Sequence, residues 1–553
     1  MERILLVEPD YKNKFPPIGL MKISTYHKNK GDYVEFFKGL APYEKIVESD
    51  RIYITTLFTF YFDKTIETIN HYRLFYPDRL IYVGGIAASI MPDKFREKLG
   101  DEIHIQVGQR KSSNDMGYDD NVNVDALPLD YDILDDVRYK YPAADNYFAY
   151  TTRGCVNKCP FCAVPILEPR FEETNNLIEQ ITFSRETYGD HRNILLMDNN
   201  VLCSNNLKKL VSDLNELGFK NNTKNYVKPN FFDIGMKKIN RRIKSGNSTR
   251  QVSCELISRF KNLNQDIMSA EMSNLFRDFL NCTDSLDSDS ERIDLLKENQ
   301  DLLHEVVHRY VRSIPVQRFV DFNQGIDARQ ITDENMSIFS NIPLSPFRLA
   351  YDHYEFKDTY EKAFRKAYKY GIRNFSNYML YNYKETPEEL WLRMEHNVLL
   401  NMEFKDAHVF SFPMKYAPID ETDRSHIGER WTKKQLDAMN VILNVTRGVV
   451  MGEDDFFYKA YGSTPEEFVK ILAMPSEFIK HRSFFDGNGL IDSWRNEYDY
   501  LTDEERSELL VVLSKPRLKN AVERLPIMRY YRITMEKCLK INIPCPEHIL
   551  LQI

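Results

Sequence analysis

"YTTRGCVNKCPFCAVP", residues 150–165, holds three of the chain's eight cysteines, Cys155, Cys159 and Cys162, spaced C-x3-C-x2-C. The apolar run "YFAYTTR" leads into it and the helical pattern "NLIEQITFSRETYG" follows. The cysteines should therefore sit on a loop at the carboxyl end of a strand, where βα barrels carry their sites. Thiolates are soft ligands suited to iron–sulfur clusters, zinc or copper(I). A structural zinc usually takes four protein ligands, and no histidine lies between His104 and His191 to complete the set. A four-iron cluster held by three cysteines leaves one iron open to a ligand. A fortuitous cysteine group or a zinc knuckle is the alternative.

Working outward, "NILLMDN", "RFVDFNQGID", "FRLAYDH", "NFSNYMLYN" and "HVFSFPM" are further short strand-like runs separated by helical segments. With the first they give six βα repeats, which predict a partial (β/α)6 barrel over 146–425. About 100 residues, 219–318, interrupt it where connections normally run 2–6 residues, so they form an inserted, mostly helical subdomain. Upstream, "RILLVEP", "RIYITTL", "LIYVGGIAAS" and "EIHIQVG" alternate with helical segments. This predicts a Rossmann-like parallel-sheet domain over 1–108. The polar, acidic stretch 109–145 reads as a linker, and 426–553 as a helical C-terminal region. The expected fold class is thus α/β.

Composition sets outer limits. The 553 residues are 42% hydrophobic and 28% charged, with a mean hydropathy of -0.49. No apolar run approaches the ~18 residues of a membrane span, and "MERILLVEPD" reads as a first strand, not a signal peptide. Clustered rather than evenly paired cysteines suit a metal site in a reducing compartment, so a cytoplasmic location is expected. A net charge of -8 gives no global pointer to nucleic acid.

The cysteine spacing, the aromatic Phe161 before the last cysteine, and the strand–loop–helix setting resemble the radical S-adenosylmethionine (SAM) superfamily. The resemblance implies a [4Fe-4S] cluster on Cys155, Cys159 and Cys162, with SAM chelating the open iron. Reductive cleavage would give a 5′-deoxyadenosyl radical that abstracts hydrogen. An electron donor such as flavodoxin or ferredoxin would serve it. The substrate, whether small molecule, peptide or nucleic acid, stays open. By position, Asp198 and Asn199 would meet the SAM amino group, although the family's usual Gly-Gly-Glu is absent. Gln324, Asp327 and Arg329 would reach the ribose or carboxylate, and Asp352 stands where relatives often carry Glu. "LYNYKETPEEL" resembles the family's Gly-Leu-Pro-Gly-Glu-Thr turn, with Asn382 replacing the first glycine. Thr386 and Glu389 also have the spacing of a helix capping box with Pro387 in the first turn.

A Rossmann-like domain ahead of such a barrel resembles the cobalamin-binding radical-SAM group. "PPIGL" at residues 16–20, "TTL" around Thr56 and "VGG" ending in Gly84 and Gly85 resemble its elements. This implies cobalamin as a further cofactor and methyl transfer or a rearrangement as the reaction; a domain that kept the fold and lost the ligand is the alternative. Methylthiotransferases share the layout but need three more cysteines, and this chain has none before Cys155. Two other features were weighed. "HEVVH", His304 to His308, matches a zinc motif, but Arg309 follows it and no third ligand appears, so an amphipathic helix with solvated histidines is expected. Lys220 to Arg250 carries nine basic residues against one acidic. Read as a nucleic-acid contact, it would make the protein a nucleic-acid-modifying enzyme; the preferred reading is a solvated helix face. A non-catalytic metal-binding protein is the remaining alternative. Cys538 and Cys545 suggest no site.

Overall fold

The computed structural model describes residues 1–75, 80–450, 454–515 and 525–541; Cys545 lies outside them. It is a mixed α/β protein with parallel sheets, about half helical. The chain forms two compact units. One comprises Met1–Gln324, Ser337–Ser345 and Ile419–Asp423, the other Gly325–Met336, Pro346–Pro418 and Arg424–Ile553.

The first unit begins with strands β1 (Arg3–Glu8), β2 (Tyr33–Lys38), β3 (Arg51–Thr56), β4 (Leu80–Gly85) and β5 (His104–Ile105). They form one parallel sheet in the order β2-β1-β3-β4-β5. Successive side chains point to opposite faces, so the near-continuous apolar strands fill two cores. Ile4, Leu6 and Tyr53 pack on one face with Leu20, Met21 and Tyr26 of the helix Ile18–Asn29. Leu5, Val7, Ile52 and Ile54 pack on the other with Ile69, Tyr72 and Phe95.

Residues 109–145, expected as a polar linker, bury many of their apolar side chains. Met116, Val124, Leu129, Tyr131, Ile133, Val137 and Tyr141 are buried in the first of those cores, together with Phe148 and Leu195. Three short 3-10 turns, Ser113–Met116, Val124–Ala126 and Tyr131–Asp136, set these side chains inward. The segment thus mortars the N-terminal sheet to the next one. That second sheet contains β6 (Asn146–Ala149), β9 (Asn193–Leu196) and β10 (Val320–Phe322), parallel in the order β10-β9-β6. Between β6 and β9, β7 (Thr152–Arg153) and β8 (Glu172–Glu173) pair antiparallel.

The insertion between β9 and β10 contains five helices from Phe231–Lys244 to Gln300–Tyr310, with a core of its own around Phe232, Phe260, Phe276 and Leu303. Six of its nine basic residues, Lys220, Lys224, Lys228, Lys237, Lys244 and Arg250, are exposed as expected, but three turn to the protein. Arg241 makes two bonds to Asp132, at 2.8 and 2.9 Å, Arg242 binds Asp136 at 2.5 Å, and Lys238 lies 2.8 Å from Asp135. The acidic segment 132–136 and the basic helix neutralise each other. Burial raises the Asp136 carboxyl to about 6 despite Arg242 beside it.

In the second unit, β11 (Phe347–Arg348), β12 (Asn374–Tyr381) and β13 (His408–Lys415) form a parallel sheet in sequence order. The helix Pro387–Glu403 starts at the expected capping box: Thr386 Oγ1 accepts from Glu389 N at 3.2 Å, and Glu389 Oε2 accepts from Thr386 N at 2.8 Å. From Lys433 onward the described residues are helical, from Lys433–Val445 to Met535–Ile541.

Candidate functional site

The cysteine loop leaves β6 through a strand end that is held from below. Asp198, just past β9 and 1% exposed, accepts Thr151 N at 3.0 Å, Thr151 Oγ1 at 2.6 Å, Thr152 Oγ1 at 2.8 Å and also Thr152 N. Burial raises its carboxyl above the usual range, and the threonine bonds oppose the shift without cancelling it. Asp198 therefore anchors the strand end, and its oxygens are occupied there instead of meeting a ligand amine. Asn199 likewise turns to the protein, donating to Glu168 Oε2 at 2.7 Å.

Glu168 is the second anchor. It takes Arg153 at 2.8 Å and Gly154 N at 2.6 Å. Arg153 stacks 3.4 Å over Tyr150 and also reaches Asp125, which Lys22 approaches at 2.9 Å. Burial favours the neutral Asp125 carboxyl, but Lys22 and Arg153 outweigh it and hold the pKa below the usual range. Gly154 has φ +75, and a Cβ there would lie 2.1 Å from Arg170 O. Only glycine fits this left-handed, crowded position.

Beyond Gly154 the three cysteines and Phe161 are partly exposed. Asn157 N lies 3.4 Å and Asn200 Nδ2 3.7 Å from Cys155 Sγ, and Val164 N lies 3.5 Å from Cys162 Sγ. These N–H groups point at the two sulfurs and help to fix where they sit. Among the described residues, the one trio of Cys, His, Asp or Glu ligand atoms within 4.8 Å of one another is Glu2, His27 and Asp32. Cys155, Cys159 and Cys162 are not such a trio, so at least one pair of their sulfurs stands more than 4.8 Å apart.

Two residues missed from the sequence stand at the same carboxyl edge. Asn200 and Asn323 are 2% and 5% exposed, and each has an Oδ1 with no hydrogen-bond partner. A run of polar residues after an apolar strand was the only available signal. Asp198, Asn199 and Asn200 differ in which way each side chain turns, which the sequence does not encode locally.

Of the other expected residues, most already have partners within the chain. Gln324 is exposed at the end of the first unit. In the second unit, Asp327 accepts from Arg329 N at 3.0 Å and from its guanidinium at 2.8 Å, so the two satisfy each other locally. Asp352 is largely buried, which raises its carboxyl although His353 and Arg393 lie near. His353 Nδ1 stands 2.5 Å from Glu385 Oε1; that bond raises the imidazole pKa. Arg393, fully buried, ties Tyr351 O, Asp352 O and Leu380 O at 2.7–2.8 Å. Asn382 adopts φ 68, as the glycine it replaces would. Its amide binds Tyr416 O, His426 O and Gly428 N at 2.8–3.1 Å. It stitches loops and has no capacity left for a ligand.

In the N-terminal sheet, Thr56 Oγ1 donates to Gly84 O at 3.0 Å and accepts from Ala88 N at 2.9 Å. A Cβ on Gly85 would meet Thr56 O at 2.3 Å, and one on Gly84 would touch Arg110 and Gln106 at 3.4 Å. These glycines accommodate the chain's own backbone and side chains, while Gly84 is half-buried and Gly85 exposed at the carboxyl end of β4. "HEVVH" lies on the helix Gln300–Tyr310, which buries Leu303, Val306 and Val307. His304 is outward, 2.8 Å from Asp233, which raises its pKa, and Glu305 pairs with Arg309. In the Glu2–His27–Asp32 trio each group already has a partner, with His27 2.9 Å from Asp32 and 3.2 Å from Tyr53 Oη, and the Glu2 carboxylate 3.2 Å from Arg51 Nε.

No protein-family model and no curated protein matches the chain.

Proposed function

We propose that the protein is a radical-SAM enzyme whose cluster is held by Cys155, Cys159 and Cys162. The observation that carries the reading is the cysteine loop itself: three thiols on a fixed loop past a parallel strand, with N–H donors aimed at two of the sulfurs. When bound, a [4Fe-4S] cluster with SAM on its open iron would supply one-electron cleavage of SAM and a hydrogen-abstracting radical. The chain's own residues do the positioning. Asp198 and Glu168 clamp the loop's entry, Gly154 lets it turn, and Asn200 and Asn323 offer buried acceptors at the strand ends. Cys155 receives two N–H contacts, from Asn157 and Asn200, which hold its sulfur in place.

The six strands follow the expected chain order but fall into two three-stranded parallel sheets, β10-β9-β6 in the first unit and β11-β12-β13 in the second. Of the nine basic residues that carry the nucleic-acid reading, Lys238, Arg241 and Arg242 pair with aspartates and the other six are exposed.

Anaerobic reconstitution with iron and sulfide tests the proposal. About four irons per chain are expected, and Cys159→Ala should lose the cluster's absorbance. SAM with a strong reductant should then yield 5′-deoxyadenosine. Stoichiometric zinc without iron, or a full cluster retained in Cys159→Ala, defeats it.

A further inference from the structure

We propose that Asn200 is a positioning residue that sets the reduction potential of the cluster through an N–H···S bond to Cys155. The inference rests on the function proposed above. Asn200 is 2% exposed. Its Nδ2 is 3.7 Å from Cys155 Sγ, and its Oδ1 has no partner among the described residues. Burying a carboxamide with one end unsatisfied is unfavourable, and an apolar side chain of similar size would avoid the penalty. The opposite amide orientation would set the carbonyl oxygen against the sulfur, two acceptors facing each other. The bond to sulfur is therefore the interaction that orients this side chain.

The neighbours make that orientation specific. Asp198 is fixed by Thr151 and Thr152, and Asn199 by Glu168. The turn after β9 is thus pinned at two consecutive residues, and the third is delivered to the cysteine. One electron from a chemical reductant takes such a cluster to its reduced state and increases the negative charge on its sulfurs. An N–H donor stabilises that state more than the oxidised one, and hydrogen bonds to sulfur are an established determinant of cluster potential. Removing the donor should therefore lower the potential.

The test uses the full chain reconstituted as wild type, Asn200→Leu and Asn200→Asp, with iron counted and the cluster titrated by EPR against dithionite without SAM. Full iron content and a lower midpoint are expected in both variants. In Asn200→Leu the reduced-to-oxidised ratio at fixed solution potential should fall about tenfold, which is ~59 mV for one electron. Asn200→Asp should fall further, because it also adds charge. An unchanged midpoint in Asn200→Leu with full iron overturns this inference and leaves the proposed function standing. A second measurement needs no variant: wild type carrying asparagine labelled with nitrogen-15 in the side chain should show that nitrogen's coupling to the reduced cluster in pulsed EPR. Absence of the coupling overturns the inference as well. A wild-type chain that assembles no four-iron cluster overturns the proposed function, and this inference with it.

Discussion

Asp198→Ala should loosen the strand end that carries the cysteine loop. The carboxylate is 1% exposed and holds two backbone N–H groups and two hydroxyls. A hydrogen bond to a charged group contributes about 1.5–3 kcal/mol, but four sharing one carboxylate do not add. Removing a partner from a buried charged network costs ~3–5 kcal/mol. The alanine leaves buried donors at Thr151 and Thr152, so the lower end, about 3 kcal/mol, is the expectation. The isosteric Asn keeps one acceptor oxygen and should cost about half as much. Hydrogen–deuterium exchange read by mass spectrometry over peptides spanning 147–154 is the assay. At ~1.4 kcal/mol per tenfold, exchange there should accelerate about a hundredfold in Asp198→Ala and about tenfold in Asp198→Asn. Peptides of the N-terminal sheet should stay at the wild-type rate. Exchange of 147–154 within threefold of wild type in Asp198→Ala would refute the anchoring role.

Gly154→Ala should destabilise the protein and deplete its iron, because a left-handed alanine costs ~1–2 kcal/mol and its Cβ would lie 2.1 Å from Arg170 O. Gly31→Ala, with φ +82 and open space around it, should show only the backbone cost, so equal drops in melting temperature would contradict the crowding. His27 is held neutral, its pKa lowered to about 4 by burial against the partial opposition of Asp32. The unfolded chain takes up a proton near 6.5 and the folded one near 4, so stability is full above 6.5 and declines as pH falls toward 4. Between pH 6.5 and 5 the loss should be ~2 kcal/mol by denaturant titration, and Asn at position 27 should remove that slope. Arg242→Ala strands the Asp136 carboxylate in the interior and should cost ~3–5 kcal/mol. Adding Asp136→Asn should recover part of it in the same titration; no recovery would contradict the pairing.

The parallel strands were legible because β-branched runs of five to seven residues bounded by turn residues have few other uses. The place of the cysteine loop was legible because an apolar run, β6, leads straight into it. The segment 109–145 was misread for a physical reason. Its buried residues, among them Met116, Val124, Leu129 and Ile133, sit in 3-10 turns and irregular chain, with neither the period of a strand nor that of an α-helix. Its aspartates looked solvated because their counterions come from Arg241 and Arg242, more than 100 residues away in sequence. The same limit applied at the strand ends. Asp198, Asn382 and Thr56 are polar residues in the right places whose hydrogen-bonding capacity the fold itself absorbs. Thr386 was the converse case, since a capping box depends only on residues three apart and is readable from four letters.

The pairing of 132–136 with the helix Phe231–Lys244 also bears on how the chain can be cut. An insertion of this length invites excision to make a minimal version for spectroscopy. Deleting 219–318 would take Lys238, Arg241 and Arg242 with it and leave Asp132, Asp135 and Asp136 as three uncompensated carboxylates against the first core. A trimmed protein would have to neutralise those aspartates in the same step, and a homologous graft would have to import both halves of the pairing together.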